Sequence, residues 1–308
     1  MEAAETTLDR YRRALDSVVE QLKRDPYVLA AILVGSLSYD TVWERSDIDL
    51  FLVTDEAKLK SESLTLVEDD IIVHAYPQTR SNFRKAIQGA TRSSFLDSIL
   101  ARGTVLFSRD ETIPALLASR GAMGARDQAA QILHRAAGIL PLLTKAQKFH
   151  KVKGDLHYAF LWVMTLLPSL AAVETLRHGE VTSREVIQQA ERYNPILFDR
   201  LYHGLIDGPK TTETIGAAIE AVRDYLHEHL ELIFGSVFEY LAEQPGARSA
   251  TEIDHHFESH YNVACVSMVC EWLADEGLID RVAVPTRVTE RSRADVQEAA
   301  YYFLRADP

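Results

Sequence analysis

The segment from Ala30 to Thr54, AAILVGSLSYDTVWERSDIDLFLVT, constrains the fold more than any other stretch of this chain. It holds two short apolar runs, Ala30 to Val34 and Ile48 to Val53. Both are rich in branched or aromatic residues and bounded by turn formers, which predicts two buried strands. Gly35-Ser36 leaves the first run and opens a short helix-compatible segment, and Ser46-Asp47-Ile48-Asp49 opens the second. Alternate side chains of a strand share a face, so Asp47 and Asp49 are expected to point the same way, roughly 7 Å apart along the backbone. Paired carboxylates repel, and a cation between them relieves the repulsion. Hard oxygen donors of this kind suit Mg²⁺ carried with the phosphates of a nucleotide. The Gly35-Ser36 turn offers backbone N–H groups and a hydroxyl where an anion is favoured. The competing reading is a surface turn followed by a strand whose acids face solvent; against it, both acids open a run that otherwise reads as buried.

A strand, a Gly-Ser turn, ten intervening residues and then Asp-x-Asp opening a hydrophobic strand resembles the nucleotidyltransferase superfamily. That fold is shared by DNA polymerase β, the bacterial aminoglycoside nucleotidyltransferases and the small toxin-antitoxin nucleotidyltransferases. The resemblance implies that Gly35 and Ser36 hold the β- and γ-phosphates of a nucleoside triphosphate, expected to be ATP, and that Asp47 and Asp49 bind Mg²⁺. The implied activity is transfer of a nucleoside monophosphate, expected to be AMP, to a hydroxyl of a small molecule or protein, with release of pyrophosphate. The alternative is a nucleotide-binding regulatory protein with weak or no catalysis.

Nucleotidyl transfer usually employs a third acid to receive the acceptor's proton or hold a second ion, and the resemblance implies that this acid sits on a neighbouring strand. Here that strand is IIVHAY, Ile71 to Tyr76, and its ionisable interior residue is His74. Asp70 shares the face of His74 by parity but lies four residues away, roughly 13 Å, in a hairpin turn. A neutral His74 can accept a proton near pH 7, and an acid from the helical region is a further option. A basic run, Lys145, Lys148, His150, Lys151 and Lys153, precedes the most apolar helix. Charge runs are usually solvated faces, yet the resemblance implies a helical-domain lysine reaching the triphosphate. Lys148 and Lys151 share a face at α-helical spacing.

The remaining chain reads as an α+β protein in three parts: a mixed-sheet nucleotidyltransferase domain over 1–120, a helical bundle over 121–245 and a winged-helix-like segment over 246–308. In the first part, Thr7 to Lys23 is an amphipathic helix, LTLV and IIVHAY make a hairpin closed by Pro77, Ser81 to Gln88 a helix capped by Ser81, Ser93 to Arg102 a second, and Val105 to Ser108 a last strand. Ser93-Ser94 could line the site, though capping explains them as well. Gly121 to Gly124 marks a junction. Helices are expected at Asp127 to Leu143, Asp155 to Arg177, Ser183 to Tyr193, Pro195 to Leu205 and Thr211 to Leu241, the last one broken. Beyond 246, helices at Ser249 onward and Asn262 to Glu276 precede two short strands, Val282 to Val284 and Thr286 to Val288.

That order suggests DNA binding, but residues 246–308 hold 6 Lys plus Arg against 11 Asp plus Glu, and phosphate affinity needs the opposite balance. Packing, homodimerisation or substrate gating fits better. The net charge of −12 likewise argues against bulk attraction to nucleic acid or anionic membrane. The two cysteines, Cys265 and Cys270, fall in one apolar segment and read as buried free thiols of a reducing, cytoplasmic setting. Leu156 to Val173 is apolar, but His157 and Pro168 within it favour a buried core helix over a membrane span. His256 and His260 share a helical face without the HExxH order of a zinc site.

Overall fold

The computed structural model describes residues 6–40, 42–56, 58–89, 103–118, 125–289 and 291–304. The chain divides into two compact units, Met1–Met123 and Gly124–Pro308. Ser93-Ser94, the helix expected at Ser93 to Arg102 and the junction at Gly121 to Gly124 lie outside the described residues.

The first unit starts with helix α1, Thr7–Leu22, fixed at its start by a capping box between Thr6 and Asp9. Five strands follow: β1 (Val28–Val34), β2 (Ile48–Thr54), β3 (Leu64–Glu68), β4 (Ile71–Thr79) and β5 (Thr104–Ser108). They form a mixed sheet in the order β3-β4-β2-β1-β5, in which β2 and β4 are parallel and the other neighbours antiparallel. The β3–β4 hairpin turns on Asp69 and Asp70, whose φ of 50° and 59° fit a two-residue type I′ turn. Arg10 donates to the Asp69 carbonyl, and Arg13 pairs with its carboxylate at 3.3 Å, tying that turn to α1.

The central strands are mostly apolar, Asp49 apart, because both sheet faces are covered along them. Tyr11, Leu15, Val18 and Val19 of α1 pack on Leu33, Leu50, Leu52 and Val73. On the other face, helices α2 (Arg80–Gly89) and α3 (Thr112–Ala118) bring Phe83, Ile87 and Ile113 onto Ile32, Phe51 and Val53.

Two details depart from the sequence reading. Strand β4 runs on through Pro77 to Thr79 instead of stopping at Tyr76. Its pairing with β3 ends at Ala75, so beyond that point one edge of β4 has no strand partner, and a residue without an N–H is tolerated. Helix α2 is capped by Thr79, whose hydroxyl accepts from the Asn82 amide at 3.3 Å. The Ser81 hydroxyl and amide donate to Glu56 instead, at 2.7 and 2.8 Å.

The second unit is helical to residue 242: α4 (Ala125–Lys148), α5 (Leu156–Arg177), α6 (Val186–Glu191), α7 (Pro195–Phe198), α8 (Gly204–Asp207), α9 (Thr212–Glu228) and α10 (Leu230–Ala242). Single π turns at Phe149–Lys153 and Asp199–His203 interrupt it, and the long helix expected from Thr211 breaks at His229. Helix α5 is long and apolar enough to cross a membrane by length and composition, and 61% of its apolar window is buried inside the protein. Asp155 caps its start, and its buried Glu174 accepts a 2.7 Å hydrogen bond from Tyr225 of α9.

After α10 come β6 (Arg248–Ser249), α11 (Ala250–Tyr261), α12 (Val266–Asp275), β7 (Asp280–Thr286) and β8 (Val296–Tyr302), with the strands in the order β6-β8-β7. The two short strands expected on either side of Pro285 are one strand, paired with Val296–Tyr302. Pro285 is accommodated because β7 is an edge. Cys270 is buried, and apolar surroundings push its thiol far up; Cys265, expected to be buried, is exposed where its left-handed backbone caps α12. The rings of His256 and His260 stack 4.5 Å apart. No group of three or more His, Cys, Asp and Glu that could hold a metal occurs among the described residues.

Candidate active site

Gly35 leaves β1 with φ +75°, a conformation that favours glycine. A Cβ at this position would stand 2.5 Å from Asp49 Oδ2, so the absent side chain lets the turn backbone lie directly against that carboxylate. The Ser36–Tyr39 segment is a single 3₁₀ turn. It is too short for an appreciable dipole, so any favour to an anion comes from individual N–H groups and the hydroxyl of half-buried Ser36. The loop back to β2 is fixed by two bonds between Trp43 and Ser46, and by Tyr11, whose hydroxyl donates to the Ser46 carbonyl at 2.6 Å. These contacts deliver Asp47 to the start of β2.

Asp49 pairs with Val34 on one side and His74 on the other. Asp47 Oδ2 lies 3.4 Å from His74 Nε2, and the two carboxylates are close enough for Asp47 to hold Asp49 in its protonated form more strongly. The Asp49 carboxyl is displaced above the usual carboxylate range, first by burial and second by Asp47; His74 and a hydrogen bond from Tyr76 act in the opposite direction. Tyr76 is shifted up in turn, by its own burial and then by Asp49 and Asp47. Thr65 Oγ1 stands 3.5 Å from His74 Nδ1.

Four of the residues anticipated from the sequence are thus brought to one end of one sheet face: Gly35, Asp47, Asp49 and His74. Ser36 follows Gly35 at the edge of that group. Tyr76 and Thr65 escaped the sequence reading, although Tyr76 lies two residues beyond His74, and strand parity alone places it on the same face. Lys148 and Lys151 belong to the second unit. Lys148 ends α4, and Lys151 lies in the π turn with its ammonium 3.7 Å from Glu220. A π turn advances differently from an α-helix, so the shared face expected for Lys148 and Lys151 from α-helical spacing does not apply.

A divalent cation fits this donor set. Two carboxylates on one side of the start of β2 carry excess negative charge, and burial and mutual repulsion already hold Asp49 toward its neutral form. Two protein carboxylates are too few for a closed cage. They match Mg²⁺, which commonly keeps waters and completes its shell with substrate phosphates.

Residues 16–112 match the family model described as polymerase beta, nucleotidyltransferase. The crystal structure of a nucleotidyltransferase-like protein from Exiguobacterium sibiricum 255-15 superimposes with a TM-score of 0.62, covering 95% of this chain and 99% of that one at 16% sequence identity. At that identity the likeness is one of fold. No curated protein matches the sequence significantly. The matched residues lie within the sheet unit, which has a nucleotidyltransferase-like fold.

Proposed function

We propose that the chain moves a nucleoside monophosphate, AMP in the first instance, from a Mg²⁺-bound nucleoside triphosphate to a hydroxyl acceptor. The observation that carries this reading is the placement of Asp47 and Asp49 on one face, with Asp49 against the Gly35 backbone. Mg²⁺ bound to the two carboxylates would neutralise charge on the triphosphate and on the transferring group. Gly35 lets the backbone approach the phosphates, and Ser36 offers them its N–H and hydroxyl. His74, whose Nε2 lies 3.4 Å from Asp47, would take the acceptor's proton in this reading. Tyr76 orients the Asp49 carboxylate through its hydrogen bond.

Asp47→Asn should abolish Mg²⁺-dependent pyrophosphate release and leave the circular dichroism spectrum unchanged. Wild-type protein that binds no nucleoside triphosphate with Mg²⁺ in calorimetry would overturn the reading.

One observation favours a second reading. The β4 position beside Asp49 is His74 and not an acid, which suits a nucleotide-sensing protein with slow or no turnover. Triphosphate binding without pyrophosphate release would select it. In that reading the winged-helix-like segment over 246–308, whose described residues hold β6, α11, α12 and the β7–β8 hairpin, acts as a contact module. The two free cysteines support a reducing, cytoplasmic setting for either.

A further inference from the structure

The sheet face that carries Asp49 is covered unevenly. Among the described residues, helices α2 and α3 bury its β1–β2 half through Ile32, Phe51 and Val53, whereas large side chains at the β3–β4 corner of the same face are exposed. Strand parity puts Ile72, His74 and Tyr76 on that side of β4, and the register sets Val67 opposite Ile72 and Thr65 opposite His74. Val67 is 62% exposed, Ile72 40% and Tyr76 38%. Three large side chains with apolar surface therefore stand exposed around His74 on this face. Extending the β2–β4 register by one residue sets Ile72 level with Asp47, so the patch begins where the carboxylates end.

We infer that this corner is the acceptor subsite, and that the acceptor is an alcohol carried on a compact apolar body without negative charge. The inference rests on the transferase reading and adds the substrate class to it. Neighbouring strands lie about 4.8 Å apart and alternate residues about 7 Å apart, so Val67, Ile72 and His74 frame an area the size of one saturated or aromatic ring, with Tyr76 a further step of about 7 Å along β4. Resting there, such a ring would bury the exposed branched side chains and bring its hydroxyl to His74. Asp47, Asp49 and the turn residue Asp70 border the patch, and like-charge repulsion disfavours an anionic acceptor. A purely polar polyol would desolvate its hydroxyls over Val67 and Ile72 without partners. The hairpin is a fixed platform, because Arg10 and Arg13 hold its turn to α1.

The test uses full-length protein with labelled valine and isoleucine methyl groups, Mg²⁺ and α,β-methylene-ATP. Cyclohexylmethanol is the apolar probe and glycerol the polar control. Cyclohexylmethanol should shift the Val67 and Ile72 methyl resonances, and glycerol should leave them in place. Val67→Thr with Ile72→Thr keeps β-branched side chains that suit an exposed strand and should weaken cyclohexylmethanol binding about ten-fold, with the nucleotide analogue bound as before. Equal shifts with both probes, or unaltered affinity in the double variant, would overturn the inference. Analogue bound without any alcohol response sinks the subsite and spares the transferase reading. The alcohol seated on Val67 and Ile72 without analogue binding does the reverse.

Discussion

At the scale of single residues, the site is built from a conflict that the free protein tolerates. Asp49 is held toward its neutral form by burial and by Asp47, so the folded state binds its proton more tightly than the unfolded chain. Stability then falls as pH rises from the unfolded value through the raised folded one. Asp49→Asn removes the buried charge and keeps an acceptor for the Tyr76 hydroxyl. Without metal at pH 7 it should stabilise the protein, by up to about 1 kcal/mol given the partial exposure of the site. That gain should shrink toward acid pH, where Asp49 is already protonated, while turnover is lost; thermal melts across pH read both. Gly35→Ala acts in the opposite sense. It sets a methyl 2.5 Å from Asp49 Oδ2 at φ +75°, and should cost about 1–3 kcal/mol and weaken Mg²⁺-nucleotide binding at least ten-fold in calorimetry.

Among elements, the helical unit depends on buried polar contacts as well as on apolar packing. Glu174 is 1% exposed on α5 and accepts from Tyr225 of α9, with Arg177 and His178 also within 3.6 and 3.3 Å. The Tyr225 hydroxyl is pushed far up, by burial first and by Glu174 second, so it stays protonated as the donor at every physiological pH. Tyr225→Phe removes that donor from a buried carboxylate and should destabilise this unit by about 1–3 kcal/mol, measurable by urea unfolding. Unit Met1–Met123 has its own pin. Arg109 donates to the Lys23, Asp25 and Val28 carbonyls, closing the end of α1 against the start of β1.

For the whole molecule, charge is the property that sets its partners. A chain at −12, with 6 basic against 11 acidic residues over 246–308, has the opposite charge balance to the one that phosphate affinity needs. Full-length protein should give no retarded band with duplex DNA even at low salt. Salt-dependent retardation would show that a local basic surface outweighs the net charge. The C-terminal segment is therefore better sought as a contact with protein or with its own chain.

The sequence by itself determined the parts governed by local periodicity and spacing. Alternation put Asp47 and Asp49 on one face, 3.6-residue spacing drew α1, a continuous apolar run drew α5, and the acidic turn announced the β3–β4 hairpin. Each of these signals is written within a few residues of where it acts. Tertiary structure decided the rest. Pro77 and Pro285 continue strands because of which edges lack partners, and the π turn alters the phase between Lys148 and Lys151. Gly35 matters because a carboxylate from another strand fills the space where a side chain would stand. Val67 and Ile72 stand exposed where, among the described residues, α2 and α3 pack on the β1–β2 half of their face. Edges, coverage and close approach are relations between segments distant in the chain, and no single stretch of residues carries them.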